Sequence, residues 1–453
     1  MLLLNPPSAR VVIRDYLCSK TTKSNYLFHP IDLVVLSGLV AERHEVQVLD
    51  AIAERLTPAA ARARVDAFAP DVVVTLVGSV AWDEDRAFLG RLGRRVIALG
   101  DVLHEDAAAR MREEPWLEAA LHRFASRDIV DYLDGEREAL EDMTVRGADG
   151  PVRVRGRAGA KTYAVPRPRH ELFPRHGYRF SFARETPFAT ILTDYGCPFP
   201  CTFCVIGTLP YRTRALADVL EEVDHLRASG VRELFVMDQT FGVSEQRGIA
   251  LARAFAARGD LSWTTFTRPD TATDALLDAL VDGGCHTLIL GIESGDEAVL
   301  AATKKGYTLR DVERGVARAK RRGLRVVGTF VIGLPGETGD SLERTLQRAL
   351  DLDLDYLSLN VAVPRFGTPF RRAVLAAGLA REDELIMDQA GSEAFLPTTS
   401  LSRAEVEAAK RRLNRRFYLR PGYLWRRARD TRSFGELARH AREGFALLRR
   451  NGR

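Results

Sequence analysis

Short apolar runs alternate with longer amphipathic ones along most of the chain, and this alternation restricts the fold more than any other feature. Residues 71–77, Asp-Val-Val-Val-Thr-Leu-Val, read as a strand buried on both faces, whereas residues 58–68 have the pattern of an amphipathic helix. Strands buried on both faces occur in parallel sheets covered by helices on either side. The sequence therefore predicts an α/β fold.

The alternation occurs in two series, separated at 146–185 by a polar segment rich in Pro, Gly and Arg that predicts a linker. The first series, residues 1–145, predicts a doubly wound parallel-sheet domain. The second, residues 186–390, has six strand-like runs and predicts a partial, TIM-like β/α barrel. The carboxyl ends of the strands normally carry the chemistry in such barrels.

Composition restricts the class of protein further. The 453 residues are 46% hydrophobic and 28% charged, which is a globular balance. Because 66 basic residues face 61 acidic ones, the net charge is only +5 and we expect no specific nucleic acid partner. The five cysteines are too sparse for the disulfide framework of a secreted protein, and the apolar start of the chain is too short for a signal peptide. We therefore expect a cytoplasmic protein.

Three of the cysteines form one compact motif. Cys197, Cys201 and Cys204 follow the first predicted barrel strand with the spacing C-x3-C-x2-C. Thiolates are the ligands of iron-sulfur clusters, and a loop with this spacing can supply one to each of three irons of a 4Fe-4S cluster. Since no fourth cysteine lies nearby, the fourth iron is left open to a small molecule. Cys18 and Cys285 are expected to be dispensable for the cluster.

A zinc site and chance clustering are the two alternative interpretations of this motif. A structural zinc site generally closes with four protein ligands. The first histidine or cysteine after Cys204 is His225. The motif therefore favours a cluster over zinc.

With the aromatic Phe203 before its last cysteine, the motif resembles the signature of the radical S-adenosylmethionine (SAM) superfamily. Three later segments resemble motifs of that family in the same order: 291–295 (Gly-Ile-Glu-Ser-Gly), 327–338 (Val-Gly-Thr-Phe-Val-Ile-Gly-Leu-Pro-Gly-Glu-Thr) and 363–369 (Val-Pro-Arg-Phe-Gly-Thr-Pro). The resemblance implies that the open iron of the cluster binds SAM, whose reductive cleavage gives a 5′-deoxyadenosyl radical.

The same resemblance implies roles for other side chains. Phe203 would pack beside the adenine, with core packing as the alternative. Glu293 would accept hydrogen bonds from the ribose hydroxyls, with a helix N-terminal acid as the alternative. Asp238 and Arg268, at strand ends, would lie at the methionine end of SAM, although such residues also cap helices and pair with each other.

Two glycines complete the predicted cofactor site. Gly328 and Gly333 would let the backbone approach the ligand closely, because glycine has no side chain to prevent it. A simple strand-to-helix turn is the alternative for Gly333.

A β/α domain ahead of a radical barrel resembles the cobalamin-binding subfamily, including enzymes that act on hopanoids or on the bacteriochlorophyll ring. The opening Leu-Leu-Leu-Asn-Pro-Pro and the pattern of residues 30–50 carry this resemblance. It implies a cobalamin over the strand ends of the first domain, facing SAM, and hence methyl transfer. The loops after Leu76 (residues 77–82) and after Leu99 would surround it, with Trp82 either as a lid or as a packing residue.

The chain departs from the subfamily in several places. No Asp-x-His-x-x-Gly motif is present, so a histidine ligand to cobalt is not expected, and His104 is interpreted as a surface residue. The family's Gly-Gly-Pro-His stretch appears as Leu99-Gly-Asp-Val-Leu-His. A domain that serves only as a scaffold, without cobalamin, therefore stays open as an alternative.

The C-terminal region, residues 391–453, contains no clear strand and predicts basic amphipathic helices at 403–416 and 434–450, with aromatic residues between them. Such surfaces suit anionic head groups and the membrane interface. The region also resembles the tails of cobalamin-type radical enzymes that act on apolar molecules. We expect a lipid-like substrate and peripheral membrane contact, with a solvated helical cap on the barrel as the alternative.

These features predict a radical SAM enzyme that, with cobalamin, methylates, cyclises or oxidises an unactivated carbon of a lipid-like or secondary-metabolite substrate. A reductase, a flavodoxin or a ferredoxin would donate the electron. The alternatives are a cobalamin-independent radical SAM enzyme with a scaffold domain, and a non-catalytic ligand-sensing protein.

Overall fold

The computed structural model describes residues 1–23, 26–156, 162–385, 388, 396–398 and 400–430. Two sheets dominate it, one of seven strands in the first third of the chain and one of six strands in the rest. The predicted helix at 434–450 lies outside the described residues. Among the described residues, no helix has the length and apolarity to span a lipid bilayer.

The N-terminal sheet is built mainly from parallel strands. Its order, β4-β1-β5-β6-β7-β8-β9, places the five parallel strands in the doubly wound order 2-1-3-4-5. Its strands and the hairpin inserted after the first of them are β1 (Leu2–Asn5), β2 (Val12–Arg14), β3 (Ser19–Thr21), β4 (Gln47–Asp50), β5 (Val72–Leu76), β6 (Arg95–Leu99), β7 (Leu117–Leu121), β8 (Asp142–Gly147) and β9 (Gly150–Arg155).

Helices cover both faces of this sheet, as the buried strands require. They are α1 (Ile31–Val40), α2 (Pro58–Phe68), α3 (Trp82–Leu89), α4 (Ala107–Glu113) and α5 (Asp128–Leu133). Every residue of α1 is buried, and its apolar cluster includes barrel residues such as Phe188 and Ile289. A helix that is apolar on all sides is stable only when it is surrounded, and α1 meets this condition at the interface between the two sheets.

The segment expected as a linker begins inside the N-terminal sheet. Strands β8 and β9 pair antiparallel, with Gly147 opposite Gly150 at the turn. Gly150 has a φ of 114°, a conformation that favours glycine. The polar Gly-Ala-Asp-Gly sequence is therefore a hairpin turn, and the sheet ends only at Arg155.

The second sheet consists of six parallel strands in sequential order. Alternate residues point to opposite faces: Leu234 and Leu288 pack against the outer helices, whereas Phe235 and Ile289 face the interior. This is the predicted partial barrel. Its strands are β11 (Phe188–Ile191), β14 (Glu233–Val236), β15 (Ser262–Thr267), β16 (Cys285–Glu293), β17 (Arg325–Ile332) and β18 (Tyr356–Val361), and a small sheet beside it contains β10 (Thr162–Tyr163), β12 (Asp194–Tyr195) and β13 (Arg212–Arg214).

The barrel helices run between successive strands, and three further helices of the described residues follow the last strand. In the first C-terminal helix, Phe417 is fully buried and the Tyr418 hydroxyl donates to the Leu357 carbonyl at 2.6 Å. That helix therefore packs on the barrel. The helices are α6 (Leu216–Ala228), α7 (Glu245–Ala256), α8 (Asp274–Asp282), α9 (Glu297–Ala302), α10 (Leu309–Arg321), α11 (Gly339–Asp351), α12 (Pro369–Ala376), α13 (Arg403–Tyr418) and α14 (Pro421–Asp430).

Candidate active site between the two sheets

The three-cysteine loop follows β11 and is anchored on two sides. The backbone N–H of Thr202 donates to the carbonyl of Thr303 at 3.0 Å, and the carbonyl of Thr202 accepts from Phe370 at 3.0 Å. Within the loop, the N–H of Cys204 donates to the carbonyl of Cys201 at 3.2 Å. These bonds tie the loop to the end of α9 and to the start of α12, so its position is fixed by the barrel.

The thiols differ in exposure. Cys201 is buried, whereas Cys197 and Cys204 are partly buried, and the Cys197 sulfur lies 3.6 Å from the Thr240 hydroxyl. Burial raises the pKa of Cys204 to about 11 and also raises the pKa of Cys201, while the Lys305 cation acts in the opposite direction on both. Iron-sulfur clusters take thiolates, and a nearby cation stabilises that charged form.

Three thiol donors beside buried cations fit the cluster predicted from the sequence. Among the described residues, no three His, Cys, Asp or Glu side chains converge closely enough to hold a single metal ion. A 4Fe-4S cluster, in contrast, takes its thiolates on separate irons. Cys197, Cys201 and Cys204 are the residues that would hold it.

Glu293 lies at the end of β16 in a buried ion pair that the sequence did not reveal. Its Oε1 is 2.8 Å from the Lys305 Nζ, and the two side chains are only 10% and 9% exposed. Burial acts to lower the pKa of Lys305, but the Glu293 carboxylate holds it above its usual value. A Cβ at Gly291 would lie 2.7 Å from the Glu293 Oε1, so only glycine leaves room for the pair.

Arg268, at the end of β15, lies near the same cysteine loop. Its guanidinium donates two hydrogen bonds to Asp270, at 2.9 and 2.8 Å, and one to the Lys305 carbonyl at 2.9 Å. It also lies 3.7 Å from the centre of the Phe199 ring. Its Nη1 is buried and has no hydrogen-bond partner among the described residues. This nitrogen can therefore donate to a ligand beside the cysteines.

Asp238, which was expected at the methionine end of SAM, accepts hydrogen bonds from the segment before the cysteine loop. It accepts the N–H of Thr193 at 2.6 Å and that of Asp194 at 3.1 Å, and it also accepts the Thr193 hydroxyl. Burial, assisted by Asp194, raises the pKa of Asp238 to about 7. The residue holds the backbone that leads into the cysteine loop, so it positions the site.

Gly328 and Gly333, which were expected to let the backbone approach the cofactor, lie in β17 and directly after it. A Cβ at Gly328 would lie 2.6 Å from Leu354 and 3.1 Å from Ile292, so this glycine serves packing on the helix-covered face. Gly333 has a φ of 81°, and its N–H donates to Glu337 at 2.5 Å. It therefore forms the strand-to-helix turn that was the alternative interpretation.

A cavity of about 1420 Å³ lies between the N-terminal domain and the barrel. Phe203 and Cys204 form part of one wall, and residues of the β2–β3 hairpin such as Cys18 and Lys20 form part of another. Small-molecule pockets usually measure roughly 300–1,000 Å³, so this cavity has room for more than one small molecule.

The predicted cobalamin loops lie outside the cavity lining, because the β2–β3 hairpin covers them. Ser19 donates to the Asp101 carboxylate through its N–H and its hydroxyl, at 2.7 and 2.9 Å, and a Cβ at Gly78 would lie 2.5 Å from the Ser19 Cβ. Among the described residues, none of 77–82 or 100–104 lines the cavity. Residues of the β2–β3 hairpin, which was not expected from the sequence, line the cavity in place of these loops.

Two side chains of these loops have other surroundings than predicted. Trp82 is 5% exposed and lies 6.3 Å from Trp116, ring centre to ring centre, so it is a packing residue and not a lid. His104 was interpreted as a surface residue, but it is partly buried: its ring lies 4.3 Å from that of Tyr16 and its Nε2 contacts the Tyr16 carbonyl. Burial lowers the pKa of His104.

Comparison with known proteins agrees with the motifs. Residues 191–349 match the model of the radical SAM superfamily. An uncharacterized methyltransferase of Pyrococcus horikoshii is 29% identical over 417 residues, which cover 87% of this chain and 89% of the relative. The resemblance to the radical SAM superfamily is thus confirmed.

Solved structures share the fold over both domains. The radical SAM methyltransferase TsrM of Kitasatospora setae, with a tryptophan substrate and a SAM analogue bound, is 21% identical with a TM-score of 0.64, and the match covers 83% of this chain and 76% of TsrM. The cobalamin-dependent SAM radical enzyme OxsB, with aqua-cobalamin and SAM bound, is 14% identical with a TM-score of 0.71, covering 99% and 71%. The predicted α/β architecture, with a doubly wound domain before a partial barrel, is confirmed.

Proposed function

We propose that the chain, a radical SAM enzyme whose residues 191–349 form the radical SAM domain, is a cobalamin-dependent methyltransferase. One observation carries the proposal: a single cavity is bounded by the cysteine loop on the barrel side and by the β2–β3 hairpin on the N-terminal side. The names of the relatives support it, since the Pyrococcus protein and TsrM are described as methyltransferases. They give no support to ring formation or oxidation, so we favour methylation.

Each part of the site has a role in this proposal. When bound, the cluster supplies the electron that cleaves SAM, and cobalamin supplies a carrier for a methyl group. Cys197, Cys201 and Cys204 hold the cluster. Glu293 orients the ribose of SAM, and Lys305 fixes the direction of its carboxylate, because the two form a buried ion pair at 2.8 Å.

The cavity fits a corinoid in size and in position. Its volume of about 1420 Å³ exceeds that of an ordinary small-molecule pocket, and it opens to both domains. No histidine occurs among the described residues that line it. We therefore propose that cobalamin binds here without an imidazole ligand from the chain.

The walls of the cavity favour an apolar substrate body. Seven phenylalanines among the described residues line it, and Phe180 and Phe235 stack with their ring centres 4.2 Å apart. Such walls exclude water from reactive intermediates. The seven are Phe28, Phe124, Phe180, Phe182, Phe203, Phe235 and Phe266.

The C-terminal helices provide a possible route for such a substrate from a membrane surface. Trp425 is 70% exposed and Leu424 is 51% exposed, and Leu424 also lines the cavity. Arginines such as Arg426 lie on the same helix. Apolar and cationic side chains together bind the interface of anionic membranes, so we propose peripheral membrane contact here. We also propose a reductase, flavodoxin or ferredoxin as the electron donor.

The proposal can be tested by anaerobic reconstitution of the full chain with iron, sulfide and cobalamin. We expect the corinoid to remain bound through gel filtration, visible in its absorption spectrum, and we expect 5′-deoxyadenosine or S-adenosylhomocysteine to form from SAM under reduction. The Cys285→Ala variant is the matched control and should keep both properties, because Cys285 does not line the cavity. Nucleoside formation without a bound corinoid would favour the scaffold alternative, and a loaded cluster without any SAM cleavage would favour a non-catalytic sensor.

A further inference from the structure

Arg365 is a buried cation whose terminal nitrogens are unpaired. It follows β18 in the segment Val-Pro-Arg-Phe-Gly-Thr-Pro, is 7% exposed and lines the cavity. Neither its Nη1 nor its Nη2 has a hydrogen-bond partner among the described residues. Arginine stays charged in proteins, and an unpaired buried charge is costly. Because Arg365 lines the cavity, a molecule bound there can satisfy it.

Lys20 of the N-terminal domain adds positive charge to the same cavity. Lys20 lies with its Nζ 5.8 Å from the centre of the Phe28 ring. Lys23 also lines the cavity, but burial lowers its pKa well below its usual value, which favours its neutral form. It donates to the Ser358 hydroxyl at 3.2 Å and to the Leu359 carbonyl and Asn360 Oδ1 at 2.7 Å each.

The acids that line the cavity do not balance these cations. Asp194 is paired with Arg247 at 3.0 Å, and Asp15 accepts the backbone N–H groups of Leu17 and Cys18. Burial raises the pKa of Asp32 well above its usual value, which favours its neutral form. The cavity therefore combines an apolar wall with an unbalanced positive charge.

We propose that Arg365, supported by Lys20, binds the acidic group of the substrate, which is a carboxylate or phosphate attached to an apolar body. Arginine presents a planar fork that suits both groups. The acid fixes one end of the molecule, and the phenylalanine wall receives the rest. The identification of this molecule as the methyl acceptor rests on the proposed function, whereas the binding of an apolar acid does not.

Calorimetry with three probes that share one aromatic body tests the proposal. The probes are 1-naphthaleneacetate, its neutral amide 1-naphthaleneacetamide, and 1-naphthyl phosphate. Each is titrated into the full-length, cluster-reconstituted chain and into Arg365→Gln, Arg365→Lys and Arg381→Gln. The last variant is the matched control, because Arg381 is exposed and does not line the cavity. Circular dichroism verifies that each variant is folded.

In the wild-type protein, at least one acid should bind roughly tenfold or more tightly than the amide, since a charge-assisted bond is worth that much. Arg365→Gln should remove this preference without weakening the amide, and Arg365→Lys should restore part of it. Equal binding of acids and amide, or an equal loss of all three probes in Arg365→Gln, would overturn the proposal.

A second measurement separates the substrate from the two cofactors, which also carry acidic groups. Cobalamin has a phosphate that cobinamide lacks, and SAM has a carboxylate. We expect Arg365→Gln to bind cobalamin, cobinamide and SAM as the wild type does. Selective loss of cobalamin relative to cobinamide, or loss of SAM affinity, would assign Arg365 to a cofactor and refute the substrate assignment. These binding results do not depend on methyl transfer, so they can fail independently of the proposed function.

Discussion

Replacing Lys305 with methionine should destabilise the barrel much more than replacing Lys305 and Glu293 together. The two charges are 2.8 Å apart and nearly buried. At an effective dielectric constant of roughly 20, their attraction is about 6 kcal/mol, part of which offsets the loss of hydration. Loss of one partner of a buried pair therefore costs ~3–5 kcal/mol, because the other charge remains without compensation.

A double-mutant cycle measures this coupling. Hydrogen exchange of peptides from β16 and β17 gives the local free energy of opening in Lys305→Met, Glu293→Gln and the double variant. We expect a coupling energy of roughly 2 kcal/mol or more. Lys304→Met is the control, because Lys304 is exposed and should change stability by less than about 0.5 kcal/mol. Additivity of the two single changes within about 0.5 kcal/mol would refute the reasoning.

Three other predictions concern different parts of the molecule. Arg14→Met should lower the stability of the N-terminal domain by ~3–5 kcal/mol without loss of iron, because Asp85 would stay buried without its partner at 2.6 Å; unchanged hydrogen exchange in β1 and β5 would contradict this. Burial raises the pKa of the Glu337 carboxyl from 4.5 to about 7. This carboxyl therefore loses its proton at a lower pH in the unfolded chain than in the folded protein, and the free energy of unfolding falls as the pH rises from about 4.5 to 7. Glu337→Gln should remove this fall, which is worth about 3 kcal/mol. If the thermal midpoints of the wild type and of Glu337→Gln changed with pH in parallel, the prediction would be wrong. Cys18→Ala and Cys285→Ala should keep full iron content by colorimetric assay, and a large loss in either would show that the ligands are misassigned.

The strand-helix rhythm could be predicted from the sequence because buried parallel strands leave continuous apolar runs. Six strand-like runs were expected in residues 186–390, and the barrel sheet has six strands there. The cysteine motif was visible because its ligands are close in sequence. Patterns within short segments were therefore sufficient to predict most of the fold and the cysteine motif of the site.

Contacts between distant segments could not be predicted in this way. The β2–β3 hairpin is held by Arg14 and Ser19, whose partners Asp85 and Asp101 lie 71 and 82 residues away. Lys305 pairs with Glu293 from a turn that has no distinctive pattern. Arg365 stood within a recognised motif, but only the structure shows that its guanidinium is buried without a partner.

The face of β17 on which Gly328 lies explains why this glycine does not line the cavity. Gly328 shares the face of Val326 and Phe330, which pack in the outer core, so it points away from the cavity that Val327 lines. The sequence places Gly328 in a strand. It does not show that Leu354, which follows α11, packs against this glycine.

The most direct test of the central claim is Mössbauer and electron paramagnetic resonance spectroscopy of the anaerobically reconstituted chain, before and after addition of SAM. We predict a 4Fe-4S cluster in which the signal of one iron changes when SAM is added, and loss of the cluster in the Cys197→Ala, Cys201→Ala, Cys204→Ala triple variant. A cluster that persists in that variant, or a four-coordinate zinc ion in the wild-type protein, would contradict the account.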